Sequence, residues 1–412
     1  MRPLEQAQRD VLAAIEQLPA GRIELANAAG LALAEAVVAR HDLPPFANSA
    51  MDGYAVIASD VAEPPVVLDV LEDVAAGSVP TQVVVPGSAI KIMTGAPMPA
   101  GADTVVPVED TEPGETSVRI LAAWPHGSSV RPAGGDVSAG TTVLQIGERL
   151  TPARLGVCAS LGYDRPLVRR RPRVAIMSTG DEIVGPETAE LAPGKIRDAN
   201  RFTLRGSLDE LGVEVIDMGI VGDDAAALRD RFAEAASVSD VVVSSGGVSM
   251  GEYDLVKHLL AELGSVDFWK VAMKPAKPFA FGRLGDTPFF GLPGNPVSVA
   301  VAYEQFLRPA LLHMMGASFL FRPRFMGVLK ETVVTDPEKV VFLRVAIVPG
   351  ADGLLQASLS GAQGSNILTA LAAADALAVI PVGIADVAAG TLVELEMLRM
   401  PESRTAAEVT NV

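Results

Sequence analysis

RVAIMSTGDEIV, residues 173–184, opens the stretch whose reading decides the fold. An uncharged apolar run ends in Ser178, Thr179 and Gly180, then meets Asp181 and Glu182. Such a run, without polar alternation, reads as a strand buried on both faces and ending in a turn. The rhythm continues downstream. RFTLRGSLDELG (201–212) is helical and stops at a glycine, VEVIDMGIV (213–221) is a strand, DAAALRDRFAEAA (224–236) a helix and DVVVSSGG (240–247) a strand. Helix DLVKHLLAELG (254–264), strands SVDFWKVAM (265–273), PFAFGRL (278–284) and TPFFGLPG (287–294), and helix VSVAVAYEQFLRPALLHMM (297–315) complete the series. This alternation predicts an α/β domain over 169–318 with a mostly parallel sheet and ligands at the carboxyl ends of its strands.

The flanks have a different texture. Leu4, Ala7, Val11, Leu12, Ile15 and Leu18 recur at helical spacing, and a second helix is read over 25–40, which is rich in Ala and Leu. Over 47–136 short β-branched runs (VVLDVL, TQVVVP, AIKIM, DTVVPVED, SVRIL) alternate with Gly and Pro turns, predicting a β-rich insertion domain. A helix resumes at Thr151-Pro152, with a Thr cap and Pro in the first turn, so 1–46 and 137–168 read as one discontinuous, helix-containing N-terminal domain. Short strands return after Arg322, predicting a C-terminal β domain over 319–400 and a flexible tail at 401–412. The fold class is therefore multidomain α/β plus β.

Charge excludes several functions. Against 33 Lys and Arg stand 50 Asp and Glu, a formal net charge of −17. An acidic chain without a long basic tract argues against a dedicated nucleic-acid binder or an electrostatically held membrane protein, and any anion site must be built locally. RPLVRRRPR (165–173) is the one strong basic cluster and reads as a solvated linker in preference to an anion site. The single cysteine, Cys158, rules out an internal disulfide and suits a reducing cytoplasm. The start, MRPLEQAQRDV, has no signal-peptide apolar region, and no uncharged stretch suits a membrane span.

The candidate chemistry lies at the strand ends. Ser178, Thr179 and Gly180 follow the first strand, Ser245, Gly246 and Gly247 the third, and Pro293 and Pro296 shape the loop before the last helix. Glycines there let backbone N–H groups approach a phosphate. None is a Walker loop or a GxGxxG, and each alone is an ordinary turn; three at one sheet edge make a site. Glu182, Asp223 and Asp254 are carboxylates beside these loops, suited to a hard cation such as Mg²⁺, with helix capping as the competing role; Asp224 reads as a cap. Lys270, Lys274 and Lys277 punctuate a Pro-restricted segment, and the residues leave open a ligand site or a solvated loop. In the insertion, the turns carrying Asp52, Thr94 and Asp136 are each ordinary taken singly. The four histidines have no metal-ligand spacing.

Together, NSAMDGYA (48–55), IMTGAPMPAGAD (92–103), STGDE (178–182), SSGGVSMGEYD (244–254), FWKVAMKPAKPFAFG (268–282), GLPGNPVS (291–298) and GAQGSNIL (361–368) closely resemble the molybdopterin molybdenumtransferases, the MoeA family, related to the C-terminal domain of gephyrin. The resemblance spans about residues 4–398. It implies a homodimer of four-domain subunits whose cleft lies between the α/β domain of one chain and the β insertion of the other. It also implies transfer of molybdenum from molybdate to adenylyl-molybdopterin with release of AMP, Mg²⁺ dependence, and transient contact with the protein that adenylylates molybdopterin.

Matched by motif, Asp52, Thr94, Asp136, Glu182, Asp223 and Asp254 would be catalytic, the last three near the metal. Lys270, Lys274, Pro293, Pro296, Arg344 and Ser365 would contact substrate. Two positions depart from the pattern: Ala47, where Asp is frequent, and Ala276, where a Gly is usual. A gephyrin-like scaffold without catalysis and a tungstate-handling relative are the alternative expectations.

Overall fold

The apolar run after Pro172 forms the strand Arg173–Thr179, buried along all but its first residue. The computed structural model describes residues 1–247, 255–351 and 353–401; Asp254 and 402–412 lie outside the described residues. The strand sits second in a six-stranded sheet ordered Glu214–Val221, Arg173–Thr179, Val241–Ser245, Thr287–Leu292, Pro278–Leu284, Gly264–Lys270. The first three pairings are parallel and the last two antiparallel.

Alternate residues of the central strand feed separate cores, as the two-residue period of a strand requires. Val174 and Ile176 pack with Leu204, Leu208 and Leu211 of helix Asn200–Leu211; Ala175 and Met177 pack with Leu228 and Phe232 of helix Ala225–Val238. Gly212, at φ 80°, ends the first of these helices as its position predicts. Helix Leu4–Ala14 buries Leu4, Ala7 and Val11 in the same core as Val174 and Ile176, so it rides on the α/β layer although its sequence position groups it with 1–46.

The last long helix runs Pro296–Ala302, Tyr303–Leu307 and Arg308–Met314, and its middle segment widens to a π turn. Pro309 has no N–H for the carbonyl of Gln305, and that carbonyl instead accepts from Gln8 Nε2 at 3.3 Å. The buried Glu304 is held by Arg322 through two hydrogen bonds of 3.0 Å.

The insertion forms a six-stranded sheet, Thr104–Pro107, Gly53–Val56, Ser88–Ile92, Val66–Val74, Ser117–Ile120 and Thr111–Pro113. The expected strand TQVVVP is not one. The backbone N–H groups of Thr81 and Gln82 donate to the Glu72 carboxylate (2.9 and 3.0 Å) instead of to a ladder. The expected helix over 25–40 is also absent. A single 3₁₀ turn at Leu25–Asn27 gives way to Gly30 at φ 77°, bridges at Ala32 and Leu33, and the strand Val37–Val38. Leu31, Ala32 and Leu33 are buried in succession, and that burial outweighs a helix propensity worth tenths of a kcal/mol per residue.

The C-terminal sheet is ordered Met273–Lys274, Val340–Pro349, Leu355–Leu359, Arg324–Leu329, Leu392–Met397, Ala376–Ile380, and the second strand also pairs with the last, closing it into a barrel. The start of the Lys-Pro segment is thus a strand of the neighbouring domain's sheet. Among the described residues no helix is long and apolar enough to cross a membrane.

The basic run 165–173 is not a solvated linker. Arg171 donates to the carbonyls of Gly212 and Ala29, and Arg170 grips Asp240 through bonds of 2.6 and 2.8 Å, so the run stitches the first domain to the α/β layer. Partial burial tends to raise the Asp240 pKa. The hydrogen bonds from Arg170 and Arg173 and the charge of Arg170 outweigh this and lower it to about 2. A depressed carboxylate contributes stability above its unfolded pKa and loses it as pH falls through the folded one. Asp240→Asn should therefore cost on the order of 1–2 kcal/mol at neutral pH and remove part of the stability loss between about pH 4 and 2, read by urea denaturation across that range.

Candidate functional site

Parallel pairing brings Thr179, Ser245 and Leu292 to one edge of the central sheet, where the loops after them wall a cavity of about 820 Å³. Gly246 is required by space and Gly180 by its backbone conformation. A side chain at Gly246 (φ 97°) would put its Cβ 2.6 Å from the carbonyl oxygen of Thr179, and one at Gly180 (φ 136°) 2.4 Å from the Glu182 carboxylate. Thr179 is buried, and its hydroxyl has no partner among the described residues.

Two side chains of the 196–200 stretch organise the edge. Asp198 is buried, accepts from Ser178 Oγ (3.0 Å) and from the Arg201 backbone and guanidinium (3.1 and 2.9 Å). Asn200 Nδ2 donates to Ser245 Oγ and to the Gly294 carbonyl, both at 2.7 Å. Sequence reading passed over both, because a polar pair just before a helix looks like a cap.

Glu182 and Asp223 line the cavity, exposed. Their loops are crossed by Asp223 N–H donating to Asp181 Oδ1 at 3.0 Å and Asp181 N–H donating to Asp223 Oδ2 at 3.4 Å. Asp224 caps its helix through Ala227 N–H at 2.8 Å. Among the described residues no group of three carboxylates, histidines or cysteines could hold a metal. Glu182 and Asp223 suit a hard cation whose remaining ligands are substrate oxygens and water, and do not suit a closed cage.

A second cavity, of about 520 Å³, lies between the α/β layer and the C-terminal barrel and shares Pro278, Pro293 and Asn295 with the first. Lys274, Lys277, Arg344 and Ser365 line it, with Lys339, which pairs with Asp336. Asn295 Nδ2 donates to Ser365 Oγ at 3.1 Å, tying the two domains. Arg344 is 1 % exposed, the foremost of the large buried side chains. Its Nη2 donates to the carbonyls of Gly364 (3.1 Å) and Ala362 (3.3 Å), and among the described residues its Nε has no partner and no carboxylate reaches it. Burial pushes its pKa down to about 10, so it stays charged at neutral pH. A buried cation without a counter-ion is costly unless something supplies the charge, and an anion in this cavity would do so.

Lys270 lines neither cavity. It ends the strand Gly264–Lys270 with its side chain exposed and its carbonyl accepting from Arg2 N–H at 2.8 Å. In the insertion, Asp52 accepts from both the backbone N–H and the hydroxyl of Thr94 at 2.7 Å, which holds its carboxyl below the usual range. Asp136 is exposed. None of these three lines either cavity of its own chain.

Three family models match the chain: "MoeA N-terminal region (domain I and II)" at residues 2–162, "Probable molybdopterin binding domain" at 175–313 and "MoeA C-terminal region (domain IV)" at 327–398. The chain is 40% identical over 408 residues to molybdopterin molybdenumtransferase 2 of Mycobacterium tuberculosis strain H37Rv, covering 96% of this chain and 99% of that one. It is 37% identical over 404 residues to molybdopterin molybdenumtransferase of Haemophilus influenzae, covering 96% and 98%. A crystal structure of a molybdopterin biosynthesis moeA protein from Pyrococcus horikoshii OT3 superposes with TM-score 0.81 at 27% identity, over 96% of this chain and 100% of that one.

Two expectations follow from the second cavity. Ala276 sits at φ 71°, a left-handed backbone that disfavours any Cβ, so Ala276→Gly should raise stability by about 1 kcal/mol in chemical denaturation. Arg344→Ala should weaken binding of a tetrahedral oxyanion about tenfold or more by calorimetry, whereas the protein should remain folded.

Proposed function

We propose, from the premise that this chain belongs to the MoeA family of molybdopterin molybdenumtransferases, that its two joined cavities hold adenylyl-molybdopterin and molybdate side by side. The chain is a transferase of molybdenum cofactor biosynthesis and inserts molybdenum into molybdopterin. The observation that carries the two-cavity reading is Arg344, a buried guanidinium without a carboxylate, one shared wall away from Gly- and Ser-rich strand ends.

In this reading the 178–180 and 245–247 loops take the phosphate oxygens through the hydroxyls of Thr179 and Ser245, with the glycines admitting the ligand close to the backbone. Arg344, Lys274 and Lys277 take molybdate, with Ser365 as a further polar contact. Glu182 and Asp223 would hold Mg²⁺, which when bound neutralises charge on the phosphate of the departing AMP. The residues at the shared wall, Pro293 and Asn295, set the distance between the two ligands, so that the dithiolene sulfurs meet molybdenum as molybdate loses oxygen to water. Two Mo–S bonds form as one oxo group of molybdate leaves as water with the two dithiol protons, and a second water adds across the pyrophosphate bond to free AMP.

The same reading assigns Asp52, Thr94 and Asp136 to the site of a second copy of the chain in a homodimer. Support comes from the paired, ionised Asp52 and its absence from the walls of either cavity of its own chain. Substrate would arrive by transient contact with the protein that adenylylates molybdopterin. A cytoplasmic setting suits the lone, buried Cys158.

Purified protein given adenylyl-molybdopterin, molybdate and Mg²⁺ should release AMP, and chelation of the metal should stop it. No release above an enzyme-free control would overturn the reading. Asp52→Ala and Glu182→Ala should each be inactive, yet a re-associated mixture should regain about a quarter of wild-type AMP release, because half of the dimers then carry one intact site. A mixture as inactive as its parts would place both residues in a site within one chain.

A further inference from the structure

Two serines at the cavity edge look alike in sequence, yet their hydroxyl hydrogens have different destinations. Ser178 Oγ lies 3.0 Å from Asp198 Oδ1, a carboxylate oxygen that also accepts from the Arg201 backbone, so the Ser178 hydrogen is spent inside the protein. Ser245 Oγ lies 2.7 Å from Asn200 Nδ2, and the same nitrogen lies 2.7 Å from the Gly294 carbonyl oxygen. A carbonyl oxygen only accepts, which fixes the amide with its nitrogen towards Gly294. That nitrogen has two hydrogens and no acceptor capacity. The second hydrogen therefore goes to Ser245, and Ser245 Oγ accepts. Its own hydrogen has no acceptor among the described residues, although Ser245 is 3 % exposed and lines the cavity beside Gly246 and Gly247. A buried donor without a partner is costly, and a ligand oxygen in the cavity would satisfy it.

We infer that Asn200 is a positioning residue: its amide turns the Ser245 hydroxyl hydrogen into the cavity, as a donor to an anionic oxygen of the phosphorylated substrate. The inference rests on the molybdenum-transfer reading for the identity of the substrate and adds which hydroxyl binds it and what aims that hydroxyl. The same amide clasps the 245–247 loop to the 293–296 loop, so aim and loop spacing are set by one group.

The test is a cycle of wild type, Asn200→Asp, Ser245→Ala and the double variant, with Asn200→Ala as a second probe should the aspartate disturb folding. Asn200→Asp is nearly the same shape, but its carboxylate accepts only and would draw the Ser245 hydrogen away from the ligand. Each single variant should raise KM for adenylyl-molybdopterin about tenfold with kcat within about twofold, and the double variant should be no worse than either. AMP affinity by calorimetry should move in the same way.

Multiplying effects in the double variant would overturn the inference. So would a lowered melting temperature with KM and AMP affinity unchanged, or AMP that binds all the proteins equally or none of them. An inactive wild type that still binds AMP would overturn the molybdenum-transfer reading alone, because the affinity cycle needs no turnover.

Discussion

Parallel pairing obliges successive strands to end on the same side of a sheet, and the first cavity of the candidate site depends on that obligation. Arg173–Thr179, Val241–Ser245 and Thr287–Leu292 lie side by side and stop together. Where they stop, backbone N–H groups lose their ladder partners and must find others. Gly180 and Gly246 carry the pairing one residue further, donating to the carbonyls of Val221 and Leu292, and at Gly246 the Thr179 carbonyl leaves no room for a side chain. The two cores on either face hold the strands, so the loop tips sit on a rigid base.

Charge is distributed by partner rather than by amount. The run of arginines at 165–173, the most basic stretch of an acidic chain, is satisfied by Asp240 and by carbonyls and so is structural. Arg344 is the one charged residue of the strand Val340–Pro349, yet it is buried without a carboxylate among its described partners and stays charged. A net charge of −17 thus coexists with a local cationic chamber built by Lys274, Lys277 and Arg344. Long-range repulsion of anions is screened within about 10 Å at ordinary salt, whereas contact at a buried guanidinium is screened little.

Much of this was legible in the residues. Uncharged runs ending in Gly and Ser identified the strand ends, and Gly212 marked a helix end. The failures share one cause, partners distant in sequence. Glu72 takes the N–H groups that TQVVVP would have offered a ladder, and Arg149 and Val168 pair with Ala32 and Leu33 where a helix was expected. Lys270 and Lys274 look equivalent four residues apart, but the intervening chain crosses from one domain's sheet to the other's, and only Lys274 reaches a cavity.

By itself the sequence determined the order of strands and helices in the α/β domain, its glycine-bearing turns and, through its motifs, the family. Those properties are local, being written in periodicity, in backbone freedom and in short strings of residues. The tertiary structure decided which groups are spent and which remain available. Ser178 gives its hydrogen to Asp198 and Ser245 keeps its own, Arg344 meets carbonyls of 362–364 rather than an acid, and Asp52 pairs with Thr94 outside the walls of either cavity of its chain. Each outcome depends on which atoms lie within about 3 Å, and such contacts between segments tens of residues apart leave no trace in the spacing of either segment.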